Sequence, residues 1–466
     1  MAAKVRAAWI VSASLVATLW VGSGRTMDVP GLDRARAGTL HLTVTNEHGE
    51  LVPARVRVEP VSFALPVDGS RGRESKSRII AGDTELLLPE GRHRVWISRG
   101  PRHELRELDV EVVSERKAPY AVVLRELLSL PDHLCVDLHA HSSRSEDAYH
   151  GGGVASTDLA AEGLDVAIAT DHNAVGSFAD GVLPTLTGVE ITTWAPEIGH
   201  FNAFPVHSVP RFSGTTPARL FAQLHAQGET FVQINHPRLD DHIAFFTLGA
   251  LVGRRFQRPP FSVRGADGVE VFNGYDIARP ARVLAVLDEV VGLLESGHRL
   301  TLTGGSDSHG RPGHVPGYPR TCVRTRSPAD LSRVLKSGDA FVTNGPLLDL
   351  RVQQKPPGST VLANADDTLD VQLAVRAHPA LSPAWVELWA GQRRVFQQSF
   401  ERGAHGGMQL VVRVPRHGAR TLHARVVGGE GLQPFVERGD AEPLAFTNPV
   451  YVRERPADLQ AKHAGI

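Results

Sequence analysis

The sequence lacks the features that define several protein classes. Only two cysteines occur among 466 residues, which excludes a disulfide-scaffolded fold and a structural site built on several thiolates. Cys135 and Cys322 each lie beside an apolar, strand-like run, so we expect two buried free thiols. A single bridge between them is the alternative in an oxidising compartment.

The chain also lacks an excess of charge of either sign. Its 50 Lys and Arg residues almost cancel its 51 Asp and Glu residues, which leaves a net charge of -1. A nucleic acid or an acidic membrane surface attracts strongly basic proteins, so neither is an expected partner. The composition is instead rich in turn-forming residues, with 45 Gly and 31 Pro, as in β-rich modules.

No hydrophobic run after the N-terminus is long enough to cross a membrane. At the N-terminus, Lys4 and Arg6 precede an apolar run over residues 7–21 and small residues at 22–24. This order predicts a secretory signal peptide over residues 1–24 and a secreted or periplasmic protein with no stable membrane span after cleavage. An uncleaved anchor is the alternative, although the run is shorter than the ~20 residues that a spanning helix needs.

Short alternating apolar and polar runs predict β-structure at both ends of the mature chain. We expect an N-terminal β-sandwich over residues 36–130, a second β-sandwich over residues 347–455, and a polar tail at 456–466. In the first module the alternating runs are residues 39–44, 54–58, 93–97 and 108–113. In the second they are residues 370–375, 385–389 and 409–414, with a last strand ending near residue 452.

Between them, residues 133–346 alternate apolar strand-like runs with helical patterns, which predicts an α/β domain with a largely parallel sheet or barrel. A cap and a proline at the first position predict a helix over residues 216–224. Further helices are expected at residues 279–296, closed by Gly297, and from residue 327 until Gly338.

The chemistry of this segment begins at His139 and His141, which share one face of a predicted strand. Other metal-binding side chains follow at the C-terminal ends of later predicted strands, where the sites of α/β barrels are built. They are Asp171, His172, Glu190, His236, Asp307 and His309. His200 begins a strand instead, and a hairpin around Pro196 is expected to return it beside Glu190.

Imidazole and carboxylate ligands without thiolates suit Zn, Mn or Fe. The number of carboxylates predicts more than one ion, because a carboxylate can bridge two metals. Clustered ions lower the pKa of a coordinated water, so the expected nucleophile is a metal-bound hydroxide and not a protein side chain. The chain has no G-x-S-x-G run, which agrees with that prediction.

These motifs resemble those of the PHP (polymerase and histidinol phosphatase) superfamily. The resemblance is carried by the following residues: 139–142 (HAHS), 170–172 (TDH), Glu190, 235–237 (NHP) and 306–309 (SDSH). Four further runs are similar to the CehA/McbA-type metallohydrolases: 199–202 (GHFN), 235–238 (NHPR), 343–346 (TNGP) and 447–451 (TNPVY). The resemblance covers roughly residues 133–348.

The resemblance implies a distorted (β/α)7 barrel, flanked here by the two β-sandwiches, that holds two or three divalent ions. The ligands implied for the first ion are His139, His141, Glu190 and Asp307. Glu190 would bridge to a second ion, which His200 and His236 also hold.

A third ion would take His172, His309 and an acidic residue after the His-x-His pair. The family's usual Ser-Asp-Gly is replaced here by Ser145-Glu146-Asp147-Ala148, so both Glu146 and Asp147 are candidates. We favour Asp147.

Other residues have supporting roles in this prediction. Asp137 and Asp171 are expected to orient ligand imidazoles. Arg238 follows His236 closely and is expected to bind a substrate phosphate or carboxylate, with a surface or salt-bridged arginine as the alternative. Arg320 and His314 are weaker candidates. The sequence gives no prediction of the oligomeric state.

The expected function is a metal-dependent phosphoesterase acting on a small-molecule substrate. A carboxylic ester, carbamate or amide hydrolase on the same fold is the close alternative. An alternative of another class is a non-catalytic cell-surface protein whose sandwiches bind glycans or partners. Turnover of chromogenic esters separates the enzymes from the binding protein.

Overall fold

A computed structural model describes most of the chain. The described residues are 29, 31–64, 74–148, 152–193, 198–239, 244–248, 262–311, 313–403 and 407–456. The predicted signal peptide at 1–24 lies outside them, and so does the predicted tail apart from its first residue. Within the described residues, no helix has the length and apolarity that a membrane crossing requires.

The N-terminal segment consists of short strands. In chain order they are β1 (Ala37–Thr45), β2 (Ala54–Glu59), β3 (Phe63–Ala64), β4 (Glu74–Ser75), β5 (Ser77–Ile80), β6 (Asp83–Pro89), β7 (Gly91–Ser98), β8 (Arg106–Val112) and β9 (Lys117–Val123). One sheet has the order β6-β1-β9 and another the order β5-β2-β7-β8, while β3 pairs with β4. The predicted alternating runs lie within these strands, except that the run 108–113 extends one residue beyond the end of β8.

The two larger sheets of this segment share one hydrophobic core. Leu40 and Leu88 come from the first sheet, Val56 and Ile97 from the second, and all four belong to one buried cluster. Alternate residues of β1 are buried, as the sequence pattern requires of a strand with one face against a core. The segment is therefore sandwich-like, as predicted.

The central segment contains strands and helices in alternation. Its strands are β10 (Leu134–Val136), β11 (Ala167–Ala169), β12 (Thr185–Thr187), β13 (Val189–Thr192), β14 (His200–Phe204), β15 (Phe231–Ile234), β16 (Gly268–Asn273), β17 (Thr301–Gly305), β18 (Arg320–Val323) and β19 (Ala340–Thr343). Its helices are α1 (Ser156–Ala161), α2 (Pro217–His225), α3 (Phe245–Leu248), α4 (Pro280–Glu295) and α5 (Leu331–Ser337). Short 3-10 helices occupy Arg34–Arg36, Gly274–Asp276 and Pro328–Asp330.

The three helices predicted from sequence are confirmed, with the features that predicted them. The side chain of Thr216 caps α2 and Pro217 is its first residue. Helix α4 buries one face, including Val283, Leu287 and Val290, at the spacing of an amphipathic helix. Helix α5 ends at Gly338, which adopts a left-handed conformation with φ of 81°.

The strands of the central segment do not form one closed ladder. In the described residues they divide among three sheets: β11 with β12, β13 to β17 in chain order, and β10, β18 and β19 in a larger sheet. Strands β13 and β14 pair in antiparallel fashion as the expected hairpin, and β14 also pairs antiparallel with β15. Strands β15, β16 and β17 are parallel. The structure thus establishes a β-rich fold of several sheets, and the predicted closed (β/α)7 barrel is not observed as a ladder.

The C-terminal segment continues with strands alone. They are β20 (Leu347–Val352), β21 (Thr360–Leu362), β22 (Thr368–Arg376), β23 (Ser382–Ala390), β24 (Arg393–Ser399), β25 (Gly407–Pro415), β26 (Thr421–Glu430), β27 (Leu444–Thr447) and β28 (Val450–Arg453). Strands β20, β22 and β25 form one sheet. The others join the central strands in a sheet of order β10-β18-β19-β27-β26-β23-β24, so hydrogen bonding runs across the boundary expected at residue 346.

Asn448 strengthens this continuity. Its side chain accepts from the backbone N–H of Leu302 at 2.7 Å and donates to the carbonyl of the same residue at 3.0 Å. A side chain of the C-terminal segment thereby satisfies both backbone hydrogen-bonding groups of Leu302 on β17, the strand that leads to Asp307.

The two cysteines form a disulfide, so the expected free thiols are wrong and the alternative is correct. Cys135 of β10 lies directly opposite Cys322 of β18 in the antiparallel pair, with Cα atoms 4.0 Å apart. This cross-strand register, which the sequence does not encode locally, brings the two thiols together.

A buried ion pair connects the N-terminal sheet to the central segment. Nε of Arg55, on β2, donates to Oε1 of Glu162 at 2.8 Å, at the C-terminal end of α1. Arg55 also donates to the carbonyl of Phe435 at 2.8 Å. Both side chains of the pair are almost fully buried, so all three segments meet at this arginine.

Candidate metal centre

The ligands implied for the first ion lie together, with His139 and His141 in the loop after β10 and Asp307 in the loop after β17. Glu190 is the second residue of β13, so it does not lie at the C-terminal end of its strand as expected. Nε2 of His139 lies 3.3 Å from Oε2 of Glu190 and 3.3 Å from Oδ1 of Asp307. Nε2 of His141 lies 3.4 Å and 3.3 Å from the same two oxygens. All four side chains are buried. Two nitrogens and two oxygens therefore face one point, as ligands of one ion do.

Glu190 directs its other oxygen toward a second group. Its Oε1 lies 3.0 Å from Nδ1 of His200 and 3.5 Å from Nε2 of His236. The hairpin of β13 and β14 places His200 here, as predicted, because Thr192 pairs with His200 in the antiparallel register. Glu190 thus has the position of a carboxylate that bridges two ions.

A third group forms at the rim. Oδ2 of Asp147 lies 2.7 Å from Nε2 of His309 and 3.4 Å from Nε2 of His172. The His309 ring stacks on the His141 ring with centroids 3.9 Å apart, which joins this group to the first. Glu146 is exposed, so of the two acidic candidates the geometry selects Asp147.

Three of the imidazoles share one tautomer. Nδ1 of His139 faces Glu270 at 3.0 Å, Nδ1 of His309 faces the carbonyl of Asp307 at 2.8 Å, and Nδ1 of His141 faces the Ser145 hydroxyl at 3.1 Å. Ser145 donates its own proton to Asp147, so it accepts from His141. Each ring donates through Nδ1, which leaves the Nε2 lone pair free for a metal.

Several ring nitrogens lack hydrogen-bond partners, which tests whether they fit an ion. Among the described residues, buried side-chain atoms without a partner include these: His139 Nε2, His141 Nε2, His309 Nε2, Glu190 Oε2, His200 Nε2 and His236 Nδ1. At His139, His141 and His309 the orphaned atom is the Nε2 that faces the carboxylates. At His200 and His236 it is the other ring nitrogen, not the one nearest Glu190. Buried polar atoms are normally satisfied, so a cluster of orphaned lone pairs needs an explanation. A bound metal ion would provide it, because the candidate ligand atoms fall into sets within 4.8 Å of one another.

The carboxylates and imidazoles of the cluster lie close enough to shift one another's pKa values. Burial raises the pKa of the Glu190 carboxyl, but His139, His172 and His200 outweigh it and hold the pKa well below its usual value. Burial likewise opposes ionisation of Asp307, yet the neighbouring imidazoles lower its pKa. Burial lowers the pKa of His141 to about 4. Both carboxylates are therefore ionised. Burial lowers the pKa values of His139, His172 and His236, but the neighbouring carboxylates outweigh it and raise them. A cation bound here would take the place of those imidazole protons.

Two ligands occupy unusual backbone conformations. Asp307 has φ of 54° and His236 has φ of 25°, in the left-handed region that non-glycine residues seldom adopt. The backbone N–H of Asp307 donates to the carbonyl of His139 at 2.7 Å, and that of His236 donates to Glu270 at 2.8 Å. Such strain persists at sites where the surroundings fix the chain.

Glu270 is a residue of the site that sequence reasoning missed. It is buried on β16, where Oε1 faces His139 and Oε2 accepts from the His236 backbone. Asn273 donates to both Glu270 and Asp307. The available signal was a lone glutamate within the apolar run Gly268–Asn273, because an acidic residue in a buried strand needs a partner.

Asp137 and Asp171 make different contacts from those predicted. Asp137 accepts backbone N–H groups from three residues: His139, Ser306 and Gly317. Asp171 accepts from the backbone and hydroxyl of Ser142. Their hydrogen bonds in the described residues include no imidazole, so they position the ligand loops, while Glu270 and Ser145 orient the rings.

The predicted substrate-binding arginine is ion-paired. Nε and Nη2 of Arg238 donate to Glu289 at 2.9 and 2.6 Å, and Nη1 donates to the carbonyl of Phe246. The N–H groups of its guanidinium are thus already hydrogen-bonded within the protein, which agrees with the salt-bridged alternative. Arg320 is buried and donates to the carbonyls of Gly317 and Glu162.

His314, the other weak candidate, packs its ring against Tyr275 with centroids 4.3 Å apart. The loop after His309 leads to it, and the Ser308 hydroxyl donates to its carbonyl at 3.0 Å.

Comparisons with known proteins give no family for the chain. No family model matches, and no curated protein matches. Among solved structures, a streptococcal ancillary pilin is 18% identical with a TM-score of 0.15, over 23% of this chain and 37% of the pilin. The Bacillus anthracis TIE protein is 9% identical with a TM-score of 0.15, over 90% of this chain and 50% of that protein. This chain thus spans at most half of those proteins, and the similarities assign neither a fold nor a function.

Proposed function

We propose that the protein is a metal-dependent hydrolase of the PHP superfamily, related to its CehA/McbA-type members, and that it cleaves phosphoesters. The observation that carries the proposal is the position of Glu190, whose two oxygens face two different groups of buried imidazoles. The orphaned Nε2 atoms of His139 and His141 support it further. This arrangement suits two bridged divalent ions with a third at Asp147.

The proposal includes a distorted barrel for the central segment. Two isolated parallel bridges support it, because Val136 pairs with Val166 and Ala140 with Ser308. They connect the segment from β10 to His141 with the residue before β11 on one side and with the loop after β17 on the other. A third bridge, from His172 to Glu190, continues the ring toward β13.

When bound, the ions would supply an activated water and stabilise the negative charge that develops during hydrolysis. The chain's own residues prepare the site for that chemistry. Burial of His139, His141 and Glu190 keeps bulk water away, and Glu270 holds the His139 ring in its orientation. Asp147 is more exposed than the others and lies where a substrate enters.

No side chain of the cluster is free to act as a nucleophile in the described residues. The hydroxyl of Ser142 donates to Asp171, that of Ser145 to Asp147 and that of Ser308 to a backbone carbonyl. Both cysteines are in the disulfide. These contacts favour direct attack by water over a covalent intermediate.

A phosphoester is the proposed substrate because three clustered cations would hold the anionic oxygens of a phosphoryl group. The protein is also proposed to act outside the cytoplasm, as a secreted or periplasmic enzyme. The disulfide supports this, since such bonds persist in oxidising compartments.

The test is metal content by mass spectrometry on protein purified without chelator, joined to a screen of nitrophenyl phosphates, phosphodiesters and carboxylic esters. We expect two or three Zn, Mn or Fe ions per chain and phosphoesterase activity that a chelator abolishes. His236→Ala should lose turnover and one ion while keeping its circular dichroism spectrum. His207→Ala, an exposed histidine outside the cluster, is the matched control.

Cleavage of carboxylic esters without cleavage of phosphoesters would replace the phosphoesterase with the alternative, a carboxylic ester, carbamate or amide hydrolase. Protein that stays metal-free and inactive after reconstitution would overturn the hydrolase and favour a binding protein.

A further inference from the structure

A second, strongly basic cavity lies where the end of α4 meets the C-terminal sheet. It has a volume of about 570 Å³ and is lined by the end of β28, the loop before β26 and residues that follow α4. We call it the arginine cavity after the arginines that line it: Arg299, Arg416, Arg420 and Arg453. It shares no residue with the candidate metal centre.

The charge of this cavity is unbalanced. Glu454 is the acidic residue in its lining, against four arginines and His298. In the described part of the chain, none of the four arginines forms an ion pair, although many other arginines do. The nearby carboxylate of Glu295 accepts from the Arg420 backbone and the Thr421 hydroxyl instead.

Arg416 is the most informative member, because it is only 3% exposed. Its Nε donates to the carbonyl of Ala419 at 2.8 Å and its Nη1 to the carbonyl of Ala363 at 2.5 Å. Carbonyls satisfy these N–H groups but do not neutralise the charge. A buried cation without a counter-ion is costly, so an anion in the cavity would offset that cost.

Two arginines are already fixed in place. Besides Arg416, the guanidinium of Arg299 lies over the Tyr451 ring at 3.7 Å and donates to the Thr360 hydroxyl at 2.8 Å. Arg299 is itself exposed, and so are Arg420 and Arg453, for which no side-chain hydrogen bond holds the guanidinium among the described residues. The cavity therefore combines ordered arginines with two that can close on a ligand, and the ordered part reduces the entropy lost on binding.

We propose that the arginine cavity binds a small ligand that carries a phosphate or sulfate group. Guanidinium forks match the oxygens of such tetrahedral anions through paired, charge-assisted hydrogen bonds. The volume is that of a small-molecule site, so a sugar-sized carrier fits with its anionic group. The C-terminal end of α4 presents carbonyl oxygens to the cavity, and their partial negative charge does not attract an anion. The arginines alone therefore supply the attraction for the anionic group.

The experiment is isothermal titration calorimetry of the full chain with inorganic phosphate, inorganic sulfate and acetate. The protein is first stripped of metal with a chelator and dialysed, so that no metal ion binds the anion. We expect phosphate or sulfate to bind and acetate not to bind measurably. The Arg420→Ala/Arg453→Ala variant should bind at least about tenfold more weakly, since each lost charge-assisted bond contributes that much or more. Arg393→Ala, an exposed arginine elsewhere in the sheet, should bind as the wild type does.

Binding of phosphate alone identifies a phosphorylated ligand, and binding of sulfate alone a sulfated one. The proposal is overturned if neither tetrahedral anion binds, if acetate binds equally well, or if the double variant retains wild-type affinity. Because the chelator removes the metals, these outcomes are independent of the hydrolase activity.

Discussion

Oε1 of Glu270 lies 3.0 Å from Nδ1 of His139, and both side chains are buried. A carboxylate in this position fixes the tautomer of a ligand imidazole and raises its basicity. The second oxygen of Glu270 accepts the backbone N–H of His236. One residue thus positions ligands of both proposed bridged ions without facing either ion.

Glu270→Gln should weaken metal binding by about 10- to 100-fold, the range found when such orienting groups are removed. The amide keeps the size of the side chain but not its charge, so the fold should persist. Metal retained after dialysis measures the effect. Glu387→Gln, a buried glutamate of the C-terminal sheet, is the control and should retain its metal. Equal metal retention in both variants would remove Glu270 from the site.

Asp147 and Glu146 give a matched pair for the rim position. Asp147→Asn should lose one metal ion per chain, because its Oδ2 faces both His172 and His309. Glu146→Gln should keep the full metal content, since Glu146 is exposed. Mass spectrometry of the two holoproteins decides between them, and loss of an ion from the Glu146 variant alone would reverse the assignment.

Reducing the disulfide should destabilise the protein by about 2–5 kcal/mol, because the bond joins residues 187 positions apart in sequence. Urea unfolding of the wild type and of Cys135→Ser/Cys322→Ser, each with and without reductant, measures the difference. The reductant should lower the unfolding midpoint of the wild type and leave that of the double variant unchanged. An unfolding midpoint of the wild type that does not change with reductant would show that the disulfide contributes no stability.

Glu162→Gln should lower the free energy of unfolding by about 3–5 kcal/mol, because it leaves the buried charge of Arg55 without a carboxylate. Replacing both partners, as Arg55→Met/Glu162→Leu, should recover part of that loss. Chemical denaturation of the three proteins gives the comparison. A double variant no more stable than Glu162→Gln would contradict this account.

Acid should destabilise the protein through buried histidines outside the metal centre. Burial, with Arg99 and Arg102 nearby, lowers the pKa of His103 from 6.5 to about 3. Between these two pKa values the His103 imidazole is protonated in the unfolded chain and neutral in the folded chain. The free energy of unfolding therefore falls as the pH drops below 6.5 toward 3.

Between pH 7.5 and 4.5 the wild type should lose about 2–3 kcal/mol more than His103→Gln does. Denaturation midpoints at the two pH values measure this difference. His48→Gln, at an exposed histidine, should follow the wild type. Parallel losses in the wild type and the His103 variant would contradict the assignment.

Much of the structure followed from local sequence patterns. Alternation located the strands of both terminal segments, and caps such as Thr216 located the helices. The convergence of the candidate ligands was also predictable, because side chains placed at strand ends meet wherever the strands become neighbours. The hairpin that returns His200 to Glu190 was inferred in the same way.

The features that the sequence did not reveal depend on contacts between distant strands. The register that places Cys135 opposite Cys322 is set by sheet assembly. The role of Glu270 follows from the position of β16 beside the ligands, which no local pattern encodes. The backbone contacts of Asp137 likewise depend on loops more than 160 residues away, at Ser306 and Gly317.

The sheet that passes from β19 to β27 limits how this protein can be divided. A fragment that ends at residue 346 would lose β27 and leave the backbone groups of β19 unpaired along an open edge. Open edges recruit strands from other molecules, so such a fragment would self-associate. It would also lack Asn448, which holds the backbone of β17 just before Asp307. The segment that carries the candidate metal centre therefore cannot be transplanted alone: any functional truncation, fusion or domain exchange has to carry the C-terminal strands with it.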